Sequence, residues 1–185
     1  MNKTEFVDLA LRNRFSRIIL ERLEMLGAQD CWLVSGALFQ PAWNALTNRA
    51  PEYGIKDYDI LYFDNDTSWE AEDRIIDGAA GLFADLGVTV EVRNQARVHL
   101  WYEQKFGTPY APLKRSTDAI DRFLIDCSMV EIRAGSHEIY APKGFADIAS
   151  MTIRPNRAPN FHPVRYREKA ERWRELWPEL TIQPA

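Results

Sequence analysis

The sequence predicts a layered α/β (α+β) domain, a mixed sheet flanked by helices, and three observations carry that prediction. Segments with apolar residues at helical spacing alternate with short apolar runs that read as strands. At 185 residues the chain is long enough to bury one substantial core. Its residues are 46% hydrophobic and 12% aromatic, which excludes a disordered chain.

The elements follow in order. From about Thr4 to Leu26 the positions Phe6, Leu9, Phe15, Ile19, Leu23 and Leu26 recur at roughly helical spacing, and Gly27 suits a C-cap. Cys31 to Val34 reads as a short strand ending at Ser35-Gly36. Ala37 to Leu46 then reads as a helix, with Pro41 an irregularity near its first turn. A polar loop, Thr47 to Lys56, leads into a strand from Tyr58 to Phe63. Thr67 and Glu70 fit a capping box, and Ile75, Ile76, Ala79, Leu82, Phe83 and Leu86 form a helical stripe that stops at Gly87. Val88-Thr89-Val90-Glu91-Val92 alternates like a strand. Val98 to Phe106 and Thr117 to Leu124 read as helices, and Met129–Arg133 and Glu138–Tyr140 as strands. The tail, about His162 to Trp177, is a charged amphipathic helix within the same single domain of residues 1–185. The charges from Arg165 to Glu175 read as its solvated face.

Charge and cysteine usage bound the function. The formal net charge is −4, which disfavours long nucleic acid as a partner and restricts any such contact to a local patch. No apolar run approaches a membrane span, and the N-terminus lacks a signal-peptide pattern. Cys31 and Cys127 each lie in apolar sequence and read as buried thiols, so a cytoplasmic protein is expected. With three histidines and no Cys-x-x-Cys pair, a zinc site is not expected.

The chemistry concentrates in Lys56-Asp57-Tyr58-Asp59-Ile60-Leu61-Tyr62-Phe63. On a strand, residues i and i+2 face the same side, so Asp57 and Asp59 project together. Two such carboxylates repel at neutral pH, and a cation or a shared proton relieves the repulsion. Mg²⁺ (or Mn²⁺) takes carboxylate oxygens together with substrate phosphates. Glu91 sits on a second strand, on the face opposite Val88, Val90 and Val92. If the two strands are neighbours, three carboxylates converge as metal ligands, with Glu91 able to act as a base instead. Ser35-Gly36 lies between a strand and a helix, where backbone and helix N-terminus favour a phosphate. Lys56, Arg93, Arg97 and His99 are cations close to these acids in sequence; a phosphate clamp and surface salt bridging are both open for Arg93 and Arg97.

These stretches resemble a known family. The order strand, small residues with glycine, helix, Asp-x-Asp on a strand, then an acid on a later strand is similar to the DNA polymerase β-like nucleotidyltransferase superfamily. More narrowly, Trp32–Trp43, Lys56–Asp64, Glu91–Tyr102 and Tyr140–Asn156 resemble a bacterial nucleotidyltransferase family whose members are mostly uncharacterised. The resemblance implies catalysis by Asp57, Asp59 and Glu91 with a divalent metal, and triphosphate contact around Ser35 and Gly36. It implies transfer of a nucleoside monophosphate from a nucleoside triphosphate, such as ATP, to an acceptor that the sequence does not identify. The chain departs from the usual Gly-Gly or Gly-Ser by carrying Ser35-Gly36-Ala37.

Two rival readings stay open at this point. Tyr62-Phe63-Asp64-Asn65-Asp66-Thr67-Ser68 resembles the first motif of haloacid dehalogenase-type phosphatases, with Asp64 as nucleophile. The other is a degenerate transferase that binds nucleotide without turnover.

Overall fold

The computed structural model describes residues Met1–Ala185. The N-terminal segment expected as one helix is two. α1 (Lys3–Ala10) ends at Leu11, and α2 (Arg14–Arg22) starts afresh at Asn13. The break has a local cause. The Asn13 side chain accepts hydrogen bonds from the Phe15 and Ser16 amides, capping α2. Its amide also donates to the Tyr58 hydroxyl, which ties this corner to the Asp-x-Asp strand.

β1 (Trp32–Val34) runs into α3 (Gly36–Leu46), whose residues 37–44 are all buried. β2 is Tyr58–Tyr62, and α4 (Trp69–Leu82) follows. Its cap is Ser68, accepting from the Ala71 amide, rather than Thr67. β3 (Val90–Asn94) begins two residues later than its alternation suggests. The next stretch, Gln95–Leu100, is a 3₁₀ segment and not the start of an α-helix; α5 is confined to Tyr102–Phe106. The helix expected over Thr117 to Leu124 shortens to α6 (Thr117–Ile120). β4 (Glu131–Arg133), β5 (Ile139–Tyr140), α7 (Ala146–Ala149), β6 (Thr152–Ile153), α8 (Pro163–Leu176) and β7 (Thr181–Ile182) complete the chain.

The main sheet has strand order β3-β2-β1-β4-β5, with β2 and β3 parallel and the other pairs antiparallel. Period-two alternation gives its two faces different characters. Leu33, Tyr58, Ile60, Tyr62, Val92 and Ile132 point into the main core with α1, α2, α3 and α8. The opposite face carries Trp32, Val34 and Leu61, capped by a small apolar cluster with Leu113, Ala119, Ile120 and Met129. Asp59, Glu91, Arg93 and Glu131 share that second face by register.

α8 is locked down by aromatic packing. Trp43 meets Trp173 and Trp177 edge-on at 5.7 and 5.4 Å, and the Trp177 indole donates to Asn44 Oδ1. Asn44 in turn donates to the carbonyls of Pro51 and Tyr53, fixing the loop that feeds Asp57. Gly54 in that loop has φ +73°, and a Cβ there would lie 2.5 Å from Trp177 Cη2. Gly54→Ala combines left-handed backbone strain with overpacking, so a loss of about 2–4 kcal/mol is expected in urea unfolding. A wild-type midpoint would contradict this packing.

Candidate active site

The site lies where the polar part of the second sheet face meets the N-terminus of α3 and one side of α8. In the parallel pair, Asp59 is the direct register partner of Glu91, so both carboxylates leave the same face on neighbouring strands. Asp57, just before β2, lines the same hollow as Asp59. The parity and sheet order expected for this trio are therefore what the backbone provides. The three do not close around one point: no group of three or more His, Cys, Asp or Glu side chains forms an enclosed metal site. Glu91 is solvent-exposed, and its Oε2 lies 4.0 Å from Arg93 Nη2.

Two hollows meet at Asp59. The smaller, about 320 Å³, is lined by Ser35, Gly36, Gln40, Lys56, Asp57 and Asp59 with Lys169, Arg172, Trp173 and Leu176 of α8. The larger, about 500 Å³, runs from Ser35, Asp59 and Arg93 past Trp101, Tyr102, Tyr110 and Phe123 to Arg122, Asn160 and Arg165. Ser35, Asp59, Lys169 and Arg172 are common to both.

Electrostatics follow from this crowding. Burial, and then the adjacent Asp57 carboxylate, push Asp59 up to about 6, with Glu91 adding to the push and Lys169 and Arg93 opposing it. Burial lowers the Lys169 ammonium, and Asp59 is the strongest influence in the other direction. Lys56 Nζ approaches Asp57 Oδ2 at 3.6 Å. Arg122, Arg165, Lys169 and Arg172 have no carboxylate within 4.0 Å. Uncompensated cations lining one cleft of a net-acidic protein describe a site for an anion.

The β1–α3 junction is built for close approach. Ser35 holds φ 57°, ψ −123°, a conformation that costs a non-glycine residue about 1–3 kcal/mol. Its amide donates to the Val130 carbonyl at 2.9 Å, and its carbonyl accepts from Leu38 and Phe39 to start α3. At Gly36 a Cβ would sit 3.2 Å from Gln40 Nε2. Gln40 Oε1 is buried there with no hydrogen-bond partner.

Several expected roles need correction. Arg97 does not reach the cleft. It is buried in an ion pair with Glu72 at 3.0 Å, donates to the Ser68 carbonyl and covers Trp69 at 4.9 Å, so it fastens the 3₁₀ segment to α4. Asp64 lies beyond the far end of β2 from Asp57. Its carboxylate accepts from the Asp66 amide, and its backbone is held by Asn94 on both sides, a turn rather than a nucleophile facing a cavity. The supposedly solvated charges of the tail are divided: Arg165, Lys169 and Arg172 face the cleft. Their spacing of four and three residues puts them on one stripe of the helix, a pattern that a water-facing stripe shares.

Glu131 was also missed. It sits in the same cross-strand row as Asp59, beyond Val34. It is fully buried, and neither carboxylate oxygen has a hydrogen-bond partner. Burial first, then Asp30, Asp121 and Glu138, push it up to about 9. The folded value is raised, so its stabilising contribution is complete below the unfolded value of about 4.3 and is lost as pH climbs through about 9. Wild type should lose stability over that window, by as much as about 1.4 kcal/mol per pH unit at full proton difference. Glu131→Gln should flatten this slope in melting curves taken from pH 6 to 9; parallel curves would mean that Glu131 is ionised in the fold.

A family model described as nucleotidyltransferase matches residues 21–182. A solved NMR structure, described as revealing a CCA-adding enzyme head domain, superposes with TM-score 0.78 at 25% identity, covering 100% of this chain and 97% of that one. A search of curated proteins finds no match.

Proposed function

This chain belongs to the nucleotidyltransferase family, and we propose that it transfers a nucleoside monophosphate from a nucleoside triphosphate to a hydroxyl-bearing acceptor with a divalent metal. The observation that carries this reading is that Asp57 and Asp59 line one cleft with Ser35-Gly36, with Glu91 the register partner of Asp59 on the neighbouring strand.

In this reading the terminal phosphates occupy the smaller hollow. The amides at the start of α3 face them, and Lys56, Lys169 and Arg172 offset their charge. The α-phosphorus lies at the junction, beside Asp59. The acceptor oxygen approaches from the larger hollow, forms the new P–O bond and expels pyrophosphate on the opposite side. Glu91 takes the hydroxyl proton, directly or through water. Arg93 holds the Glu91 carboxylate and adds a cation to the rim.

Asp57 and Asp59 suit Mg²⁺ or Mn²⁺, because such an ion needs one or two protein carboxylates and completes its shell with water and phosphate. Burial, and after it the adjacent Asp57 carboxylate, raise Asp59, and a cation beside the pair would offset both effects. Held there, the ion supplies charge neutralisation of the phosphate oxygens during transfer.

Stabilisation by ATP, CTP, GTP or UTP with Mg²⁺ or Mn²⁺ in a melting experiment, followed by pyrophosphate release over candidate acceptors, tests the reading directly. Asp57→Asn and Asp59→Asn should abolish the metal-dependent part while leaving the metal-free fold as stable as wild type or more so. In wild type the metal-dependent stabilisation should fade as pH drops through about 6, where Asp59 takes up its proton. Wild-type transfer rates in both variants would overturn the metal assignment.

Asp64→Asn separates this reading from the phosphatase. Turnover should stay within about threefold of wild type, since such a surface change alters local stability by only about 0.5 kcal/mol. Phosphatase activity that disappears with Asp64→Asn and survives Asp57→Asn would replace the transferase.

A further inference from the structure

A third hollow, about 450 Å³, opens on the outer side of the larger one and is lined by Trp69, Glu72, Ile76, Arg93, Trp101, Gln104 and Lys105. Arg93 and Trp101 line both, so the two adjoin. The groove leaves the reaction site between the start of α4 and α5. Its most prominent feature is Trp69, 63% exposed. One face of this indole is covered by the Arg97 guanidinium at 4.9 Å, which holds it in place. Nothing in the core requires it; its partner Arg97 already pairs with Glu72 and donates to the Ser68 carbonyl. Trp101 supplies a second aromatic surface nearer the site, with Lys105 Nζ 5.4 Å from its ring. Lys105 has no carboxylate within 4.0 Å, and the one acid in the groove, Glu72, is neutralised by Arg97.

Two aromatic surfaces and two cations lining one groove suit a chain of planar bases linked by phosphates. A small acceptor filling the larger hollow would touch neither Trp69 nor Lys105. We infer that the groove seats a short single-stranded oligonucleotide, its bases against Trp101 and Trp69 and its phosphates near Arg93 and Lys105, with its terminal hydroxyl directed into the larger hollow as the acceptor. This rests on the transferase reading above. That hydroxyl oxygen would bond to the α-phosphorus as the bridging P–O bond to pyrophosphate breaks, its proton passing to Glu91 or water. Local cations suffice for such a strand despite the net charge of −4, because base stacking contributes much of the affinity.

The test is anisotropy of a 5′-labelled single-stranded RNA of roughly six nucleotides, with the matching duplex as control and Mg²⁺-ATP melting stabilisation measured in parallel. The single strand should bind and the duplex should not. Trp69→Ala should weaken the strand by about 5- to 150-fold, the range expected for loss of one stacked base, while ATP stabilisation stays at the wild-type level. Lys105→Gln should lower the slope of log affinity against log salt by about one. Failure of the strand to bind a protein that ATP still stabilises would overturn the inference and leave the transferase standing with a small acceptor. Equal affinity of Trp69→Ala and wild type would also overturn it. If no nucleoside triphosphate stabilises wild type, the transferase reading itself falls.

Discussion

A strand has two sides, and β2 sets two incompatible environments on them. Tyr58, Ile60 and Tyr62 are buried in the main core on one side, while Asp59 emerges on the other and lines the cleft with Lys169 and Arg93. The core side fixes the register, because a slip of one residue would bury Asp59 and expose Ile60. With the register held, the parallel pairing to β3 puts Glu91 beside Asp59, and the antiparallel pairing to β1 delivers Ser35-Gly36 to the same edge of the cleft. Apolar packing on the far face thus determines the spacing of charges on the near one.

The charges carry an energetic cost that the surrounding structure offsets. Asp59 is held above its ordinary range by burial and by Asp57, and Ser35 occupies a backbone region suited to glycine. Against these stand well-satisfied supports close by. Asn13 links the α2 cap to the Tyr58 hydroxyl, and Asn44 links the Trp177 indole to the loop before Asp57. Strain and support of this kind, concentrated on one cleft, accord with pre-organisation for an anionic ligand.

Much of the sheet could be read in the sequence, because it depends on local alternation. The parity of Asp57 and Asp59 and the face of Glu91 follow from period two alone, and the α3 start follows from strand-Gly-helix order. Contacts distant in sequence were hidden. Arg97 resembles Arg93 in spacing from Glu91, yet one faces the cleft and the other pairs with Glu72, a partner from a different element. The α8 cations read as solvated because a helix facing a polar cleft has the same pattern as one facing water. Glu131 lies in an ordinary short strand, and only the packing of α6 and the tertiary fold make it a buried acid without a partner. The break at Asn13 was concealed by apolar residues that keep helical spacing through it.

The placement of α8 has a consequence for the order in which the site comes into being. Asp57, Asp59 and Glu91 lie in the first half of the chain, but Lys169 and Arg172, which wall both hollows, arrive near its end. During synthesis the carboxylates leave the ribosome well before the cations that face them. A growing chain therefore holds these carboxylates with only Lys56 and Arg93 beside them, and the further cations that wall both hollows join when α8 docks against Trp43.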